Sequence, residues 1–424
     1  MKSFSLASLP HAILSFCLYL SLLRGTNMGL FYPAAENEIG AIDYTFQMIM
    51  NLMLLIGVTA YFFLKNDYHY LISRFSSAIF GLLAFGVSVS LICSVDRIES
   101  AKYVLAFLVV SLPTVLYCHE HGFEKLLKAY AKFMTVIAFL NLAYIFAFPQ
   151  HAIMAGNHAG AWRGMFEHKN PAGAIMGLGT FIILLQVDVR HKMQFLFYLG
   201  GATICLVFTI LSHSSTALVT TSVMIICYAS FYFLMHLKSS KERVLVVLVL
   251  SAISVLLYSF AGDAIIKFVF GLIDRDPSLT GRTGIWSAIF DLLAERPLVG
   301  YGPGMSERYE FMQQIQGEVG WEVKSMHNSY LDMLTGYGYP VTILFFLYLF
   351  SMIGKALLYP TTNRNEAIKL AFSASMIVNM LFECFAESGG FLSRTIIWLF
   401  ILCAFCVISE IVMKRKDNLP PQSV

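Results

Sequence analysis

Three short stretches of this sequence gather side chains able to bind anions or move protons. The first is Trp162-Arg163-Gly164-Met165-Phe166-Glu167-His168-Lys169-Asn170-Pro171. The second runs Leu279-Thr280-Gly281-Arg282-Thr283-Gly284-Ile285-Trp286 and continues at Arg296-Pro297-Leu298-Val299-Gly300-Tyr301-Gly302. The third is His327-Asn328-Ser329-Tyr330-Leu331, followed by Gly336 and Gly338. A guanidinium stays charged at any relevant pH and grips phosphate-type oxygens with two parallel hydrogen bonds. An imidazole titrates near neutrality and can take a proton from a hydroxyl. Each feature also has an ordinary reading. An arginine beside a membrane span anchors to headgroups, tryptophans populate the membrane interface, and a histidine before a helix often caps it.

The elements that must position these groups are long apolar runs. With 58% hydrophobic and 13% charged residues and a mean hydropathy of +0.69, the chain departs from soluble proteins, of whose residues about a quarter are charged. It reads as an all-α polytopic membrane protein. A helical crossing takes roughly 17 to 25 apolar residues, and about twelve such runs fit. They are Leu9 to Leu23, Tyr44 to Leu64, Tyr70 to Cys93, Ala101 to Tyr117, Phe133 to Phe148, Ala172 to Val187, Phe195 to Leu211, Thr216 to Met235, Val244 to Phe260, Tyr330 to Ile353, Leu370 to Phe385 and Thr395 to Met413. Met1 to Arg24 lacks a small-x-small cleavage site and reads as an uncleaved first span. No linker divides residues 1–424, so one membrane domain is expected, with residues 261–328 as its large loop.

Basic residues set the expected orientation, because cytoplasmic loops carry the excess. Lys65; Lys125 and Lys128; Arg190 and Lys192; Lys238, Lys241 and Arg243; Lys355, Arg364 and Lys369; and Lys414, Arg415 and Lys416 fall in the even-numbered connections and the C-terminus. Both termini are therefore expected in the cytoplasm. The alternate connections (Gly25 to Asp43, Ser94 to Ser100, Pro149 to Asn170, Ser212 to Ser215, Ala261 to Asn328 and Ala386 to Arg394) are expected outside, in a bacterium the periplasm, where no ATP or nucleotide sugar is available. In the long loop, Ile285, Trp286, Ile289, Phe290 and Leu293 recur at helical spacing until Pro297, predicting a short amphipathic helix on the membrane surface with its apolar side down. A second helix is predicted over Ser306 to Ile315, capped by Ser306. The glycines of Gly300 to Gly304 serve a tight turn or a close backbone approach to a ligand. The net charge of +3 is too small to point to nucleic acid. The cysteines lie in or beside apolar runs, so no disulfide framework is implied; Cys403 and Cys406 read as packing residues.

Taken together, Phe166 to Gly173 (FEHKNPAG), Thr280 to Trp286 (TGRTGIW), Arg296 to Gly302 (RPLVGYG) and the His327-Asn328 pair with Gly338 downstream resemble the superfamily of O-antigen ligases and Wzy-type polysaccharide polymerases. The first three runs look most like its exopolysaccharide-polymerase branch. The His-Asn pair is also similar to the ligase pattern, from which the chain departs at Val341, where a small or polar residue is expected. The resemblance implies a GT-C-like fold and transfer of a glycan from undecaprenyl diphosphate to a hydroxyl, with inversion at the anomeric carbon. A departing diphosphate gathers negative charge in the transition state. Arg163 and Arg282 are the implied catalytic cations, with Lys169 and Arg296 in support. His327 is the implied base, and Asn328 orients it or holds a sugar hydroxyl. His168, Asn170 and Tyr301 are further candidate substrate contacts, and Trp286, Trp162 and Trp321 candidate stacking surfaces. Glu383 and Glu387, one turn apart, are expected to pair with Arg394, with Glu387 a reserve base.

No nucleotide-binding or metal-ligand constellation stands out, so catalysis is expected without cofactor or metal. The leading expectation is a polymerase of O-antigen, capsule or exopolysaccharide. The expected partners are the lipid-linked oligosaccharide, the bilayer, a flippase and a chain-length regulator. The alternatives are an O-antigen ligase that hands the glycan to lipid A-core in lipopolysaccharide, a lipid-linked glycan transporter without chemistry, and a structural assembly partner. The expected location is the bacterial inner membrane, with the site facing the periplasm.

Overall fold

The computed structural model describes residues 8–28, 45–65, 78–237, 239–272, 282–323, 325–361, 363–385, 387–388 and 391–417. Most of the expected connection Gly25 to Asp43, the start of the span Tyr70 to Cys93, Lys238 and the run Leu279 to Gly281 lie outside the described residues. The helices are α1 (Leu9–Gly25), α2 (Thr45–Lys65), α3 (Ala78–Ile92), α4 (Arg97–His121), α5 (Phe123–Ala147), α6 (Lys169–Leu184), α7 (Lys192–Leu211), α8 (Ser215–Met235), α9 (Ser240–Leu272), α10 (Arg282–Glu295), α11 (Tyr309–Val319), α12 (Ser329–Leu358), α13 (Arg364–Glu383) and α14 (Ile396–Asp417). Among the described residues the only extended pairing is one isolated bridge, between Ile153 and Trp162.

Within the described residues each expected span falls on a helix. Among the described residues six, α2, α4, α5, α7, α8 and α12, are long and apolar enough to cross a bilayer, and α1, Gly81–Ile92 and Ile396–Ile411 are shorter apolar helices. Large apolar side chains stand outward on them, such as Phe63, Phe85 and Phe146. Soluble proteins rarely leave such patches open, whereas lipid tails cover them at no cost. The chain is a polytopic membrane protein. The charges used for orientation are partly structural: Lys65 pairs with Glu120 at 3.1 Å, and Arg243 is buried, its guanidinium donating to the carbonyls of Met235, Leu237 and Tyr359.

The chain divides into two compact units. The first comprises Met1–Ser76, Lys102–Ile226 and Gly389–Cys406. Here α6 packs on α7 and both pack on α5. The close packing of α6 depends on small residues: a Cβ on Gly173 would lie 2.5 Å from the hydroxyl of Ser212, at the end of α7, and one on Gly177 would strike Thr221 of α8.

The second unit comprises Ser77–Ala101, Cys227–Ser388 and Val407–Val424. Its α12 packs against α3, α9 and α13, and α10 packs against α11 and α12. Helix α9, 33 residues long, runs on to Leu272, so the loop expected from Ala261 starts later. Most of the apolar side of α10 faces protein, although Phe290 is 50% exposed. Ile285, Ala288, Ile289 and Leu293 form a buried core with Phe311, Met312 and Ile315 of α11, Met326 and Leu331. The second helix also differs from expectation. Met305–Glu307 is a single 3-10 turn after Gly304, and α11 begins at Tyr309 with Arg308, not Ser306, at its N-cap. Arg308 bonds Glu99 at 3.2 Å and Glu310 at 3.3 Å, which fixes that start.

Helix α12 is broken. Gly338 has φ 74° and ψ 175° inside it, and Pro340 supplies no N–H to continue the ladder. The freed groups are matched by the glycine-rich run before it. Tyr339 N–H donates to the Pro297 carbonyl at 2.8 Å, and Tyr301 N–H donates to the Thr335 carbonyl at 2.7 Å. A Cβ on Gly300 would come 2.5 Å from the Thr335 oxygen. The close approach of this run is made to the backbone of α12, where a tight turn or an approach to a ligand was expected. Irregular backbone at membrane depth is tolerated where other protein groups satisfy it.

Candidate functional site

The second unit holds Arg282, Trp286, Arg296, Tyr301, His327 and Asn328. His327 sits at φ 49°, a left-handed conformation uncommon outside glycine. Its N–H donates to the Ser325 hydroxyl at 3.1 Å. Asn328 caps α12, its Oδ1 accepting from the N–H groups of Tyr330 at 3.0 Å and Leu331 at 3.2 Å. The oxygen expected to hold a sugar hydroxyl therefore serves the helix. Ser329 N–H donates to the carbonyls of Cys384 at 2.8 Å and Glu387 at 3.1 Å. Its hydroxyl donates to the same Glu387 carbonyl at 2.7 Å, and the Tyr330 phenol to that of Leu381 at 2.6 Å. The segment that carries His327 is therefore stapled to the end of α13. Glu387 Oε2 lies 3.9 Å from His327 Nδ1, while the Arg394 guanidinium, in the first unit, lies 4.6 Å above the Tyr103 ring.

Arg282 opens α10, where the helix dipole adds to its positive charge. One turn on, Trp286 Nε1–H donates to the Met326 carbonyl at 3.0 Å, and its ring meets Phe385 edge-on at 5.8 Å. Trp286 thus ties α10 to the residue before His327, with its polar atom spent on protein. Arg296 donates to the Cys93 carbonyl at 3.1 Å and lies 5.6 Å above the Tyr301 ring. Tyr301 is buried, its hydroxyl donating to the Leu292 carbonyl at 2.9 Å with Glu295 Oε2 at 3.2 Å. Burial, and then the Glu295 carboxylate, push its phenol above the ordinary value. Both side chains hold the loop together. Trp321, 47% exposed, lines a cleft of about 330 Å³ with Asp291 and Glu318.

The first unit holds Arg163, His168, Lys169 and Asn170. The N–H groups of Arg163 and Gly164 both donate to the Ala152 carbonyl at 2.9 Å. Met165 N–H donates to Asn141 Oδ1 at 2.8 Å, and Arg163 Nε donates to the His151 carbonyl at 2.7 Å. Among the described residues no hydrogen bond engages the Nη nitrogens of Arg163, the pair that would fork onto an oxyanion. His168 caps α6 by accepting from Asn170 N–H at 3.3 Å. Lys169 is buried, its ammonium donating to the His213 carbonyl at 3.0 Å. Trp162 packs edge-on against Phe208 at 5.7 Å. Sequence reasoning missed Asn141, fully buried in α5, although a lone amide in an apolar run is the signal that marks such a support. Among the described residues no group of three or more His, Cys, Asp or Glu is arranged to hold a metal ion.

The fold and this polar group define a polytopic helical membrane protein with a folded loop that presents cations and an imidazole. Residues 200–346 match the family described as O-Antigen ligase. That segment takes in Arg282, Trp286, Arg296, Tyr301, His327 and Asn328, and stops short of the Arg163 to Asn170 run. The exopolysaccharide production protein ExoQ of Rhizobium meliloti is 25% identical over 187 residues, which cover 41% of this chain and 42% of that protein. The match thus spans less than half the length of that relative. The resemblance to the superfamily of O-antigen ligases and Wzy-type polymerases, on its exopolysaccharide side, holds.

Proposed function

We propose that this protein is a glycosyltransferase that moves a glycan from undecaprenyl diphosphate to an acceptor hydroxyl, as the polymerase of a surface polysaccharide. The observation that carries this reading is that the O-Antigen ligase segment contains Arg282 and His327 on neighbouring elements of one unit. The similarity to an exopolysaccharide production protein supports a role in building a surface polysaccharide, and ligation of the glycan to lipid A-core is the alternative reaction.

In this reading about twelve helices cross the inner membrane, both termini are cytoplasmic, and the loop faces the periplasm. His327 takes the proton of the acceptor hydroxyl as that oxygen bonds to the anomeric carbon. The bond from that carbon to the diphosphate breaks, and its electron pair leaves on the diphosphate oxygen. Arg282 neutralises the charge that collects there, and Arg163 carries the same expected role. Asn328, buried, caps α12 beside the base, and the exposed Trp321 is the surface offered to sugar. Neither metal nor nucleotide takes part.

A deletion strain tests the polymerase reading. Surface glycan reduced to single repeats supports it, long chains stranded on the carrier indicate the ligase, and an unchanged profile rejects both. Purified protein is expected to lengthen lipid-linked repeats in the presence of EDTA and without ATP. Translocation across vesicles with no new glycosidic bond would identify a transporter instead.

A further inference from the structure

We propose that Glu387 is the positioning residue of His327, so that the two work as a His–Glu dyad. This rests on the reading of His327 as the base of the transfer. His327 Nδ1 is buried and, among the described residues, has no hydrogen-bond partner, although the side chain as a whole is 36% exposed. Buried ring nitrogens are nearly always matched. Glu387 Oε2, at 3.9 Å, faces this one across a gap that a small rotation closes, and catalytic hydrogen bonds commonly stand loose before substrate arrives.

The backbone makes the juxtaposition durable. The N–H and hydroxyl of Ser329 both reach the Glu387 carbonyl, and Asn328 N–H reaches the Ser388 hydroxyl at 3.3 Å. The left-handed backbone of His327 is the kind of local strain that surrounding structure must over-determine. These bonds come from the residues on its C-terminal side. The chain thus holds an uncommon conformation at the residue whose ring nitrogen faces the carboxylate at 3.9 Å.

A carboxylate accepting from Nδ1–H fixes the tautomer that leaves the lone pair on Nε2. Nε2 takes the acceptor proton as the glycosidic bond forms and the diphosphate departs with its electron pair. The resulting imidazolium faces Glu387, which stabilises it until the proton passes to water.

The test uses the full chain in lipid nanodiscs, with lipid-linked repeat units extracted from a deletion strain as probe. Glu387→Gln leaves the backbone staple intact because that staple uses the carbonyl. It is expected to lower kcat about 10- to 100-fold while KM stays within about twofold. His327→Gln should cost at least as much, and the double variant no more than His327→Gln alone. Wild-type kcat in Glu387→Gln, or losses that multiply in the double variant, would overturn the dyad. A second readout needs no turnover: with ¹⁵N-labelled histidine, the His327 ring resonances should show the Nδ1–H tautomer in the wild type and change in Glu387→Gln. An unchanged His327 spectrum overturns the dyad. A changed spectrum in a protein that transfers no glycan supports the dyad and sinks the proposed function alone.

Discussion

Replacing Gly338 by alanine tests the central mechanical feature of the second unit. Gly338 has φ 74° and ψ 175°, a region nearly closed to other residues, and forcing alanine there costs ~1–3 kcal/mol. The new Cβ would also lie 2.5 Å from the Leu298 carbonyl carbon and 2.7 Å from Val299 N. Both are backbone atoms, so no side chain can turn aside to make room. Relief requires the segment from Pro297 to Tyr301 to withdraw, which breaks the bonds from Tyr339 N–H to Pro297 and from Tyr301 N–H to Thr335. Each buried donor left unmatched costs ~1–3 kcal/mol. The sum is roughly 3 to 9 kcal/mol, against a whole stability of ~5–15 kcal/mol for a typical fold. Gly354→Ala is the control. A Cβ there meets nothing within 4 Å, and alanine in a helix should be neutral or stabilising by up to ~1 kcal/mol. The assay is SDS-induced unfolding in mixed micelles, followed by tryptophan fluorescence. An unfolding midpoint for Gly338→Ala equal to that of Gly354→Ala would refute the claim that the break is held open by this packing.

Arg282→Lys and Arg163→Lys keep the charge but lose the fork that matches a phosphate; each is expected to lower kcat on lipid-linked repeats about 10- to 100-fold, and unchanged kinetics would remove that arginine from the mechanism. Asn141→Ala strips the partner from Met165 N–H, at a cost of ~1–3 kcal/mol. It should lower the thermal midpoint of the purified protein and reduce transfer through the loss of an ordered Arg163 loop, whereas a wild-type midpoint would show that the amide is not needed there.

Helix positions were legible because membrane spans announce themselves by apolar length alone, and within the described residues every expected run falls on a helix. Facing was not legible in the loop. The periodicity of Ile285, Ile289 and Leu293 marks an apolar side, but periodicity cannot say whether lipid or α11 covers it, and the covering is α11. The start of α11 was misplaced because a serine is a good generic cap, while Arg308, held by Glu99 and Glu310, sets the real one. The break at Gly338 and Pro340 was not foreseen, since Tyr330 to Ile353 read as one uninterrupted span. That their break is filled by Pro297 to Tyr301 depends on pairing across the chain, which residue types do not encode. For the site, the types of Arg163, Arg282 and His327 could be read, and so could the potential of Glu387 as a base. Its place beside His327 follows from the hydrogen bonds of Ser329 to the end of α13, a tertiary contact.

The linked motifs acquire a mechanical reason in the first part of α12. From Ser329 to the break at Gly338 the helix spans only about 13 Å. One end is stapled to Cys384 and Glu387 and carries His327. The other end pairs with the glycine-rich run through Thr335 and Tyr339. Between them Leu331 enters the same core as Ile285 and Ile289 of α10, the helix that begins with Arg282. This short rigid segment therefore references the imidazole, the glycine run and the arginine helix to one another. One residue more or less between His327 and Gly338 would rotate one end against the other by about 100°, so that the staple and the glycine pairing could not both form. The interval from the His-Asn pair to Gly338 is thus a structural length, and the glycines downstream belong to the site even though they touch no substrate.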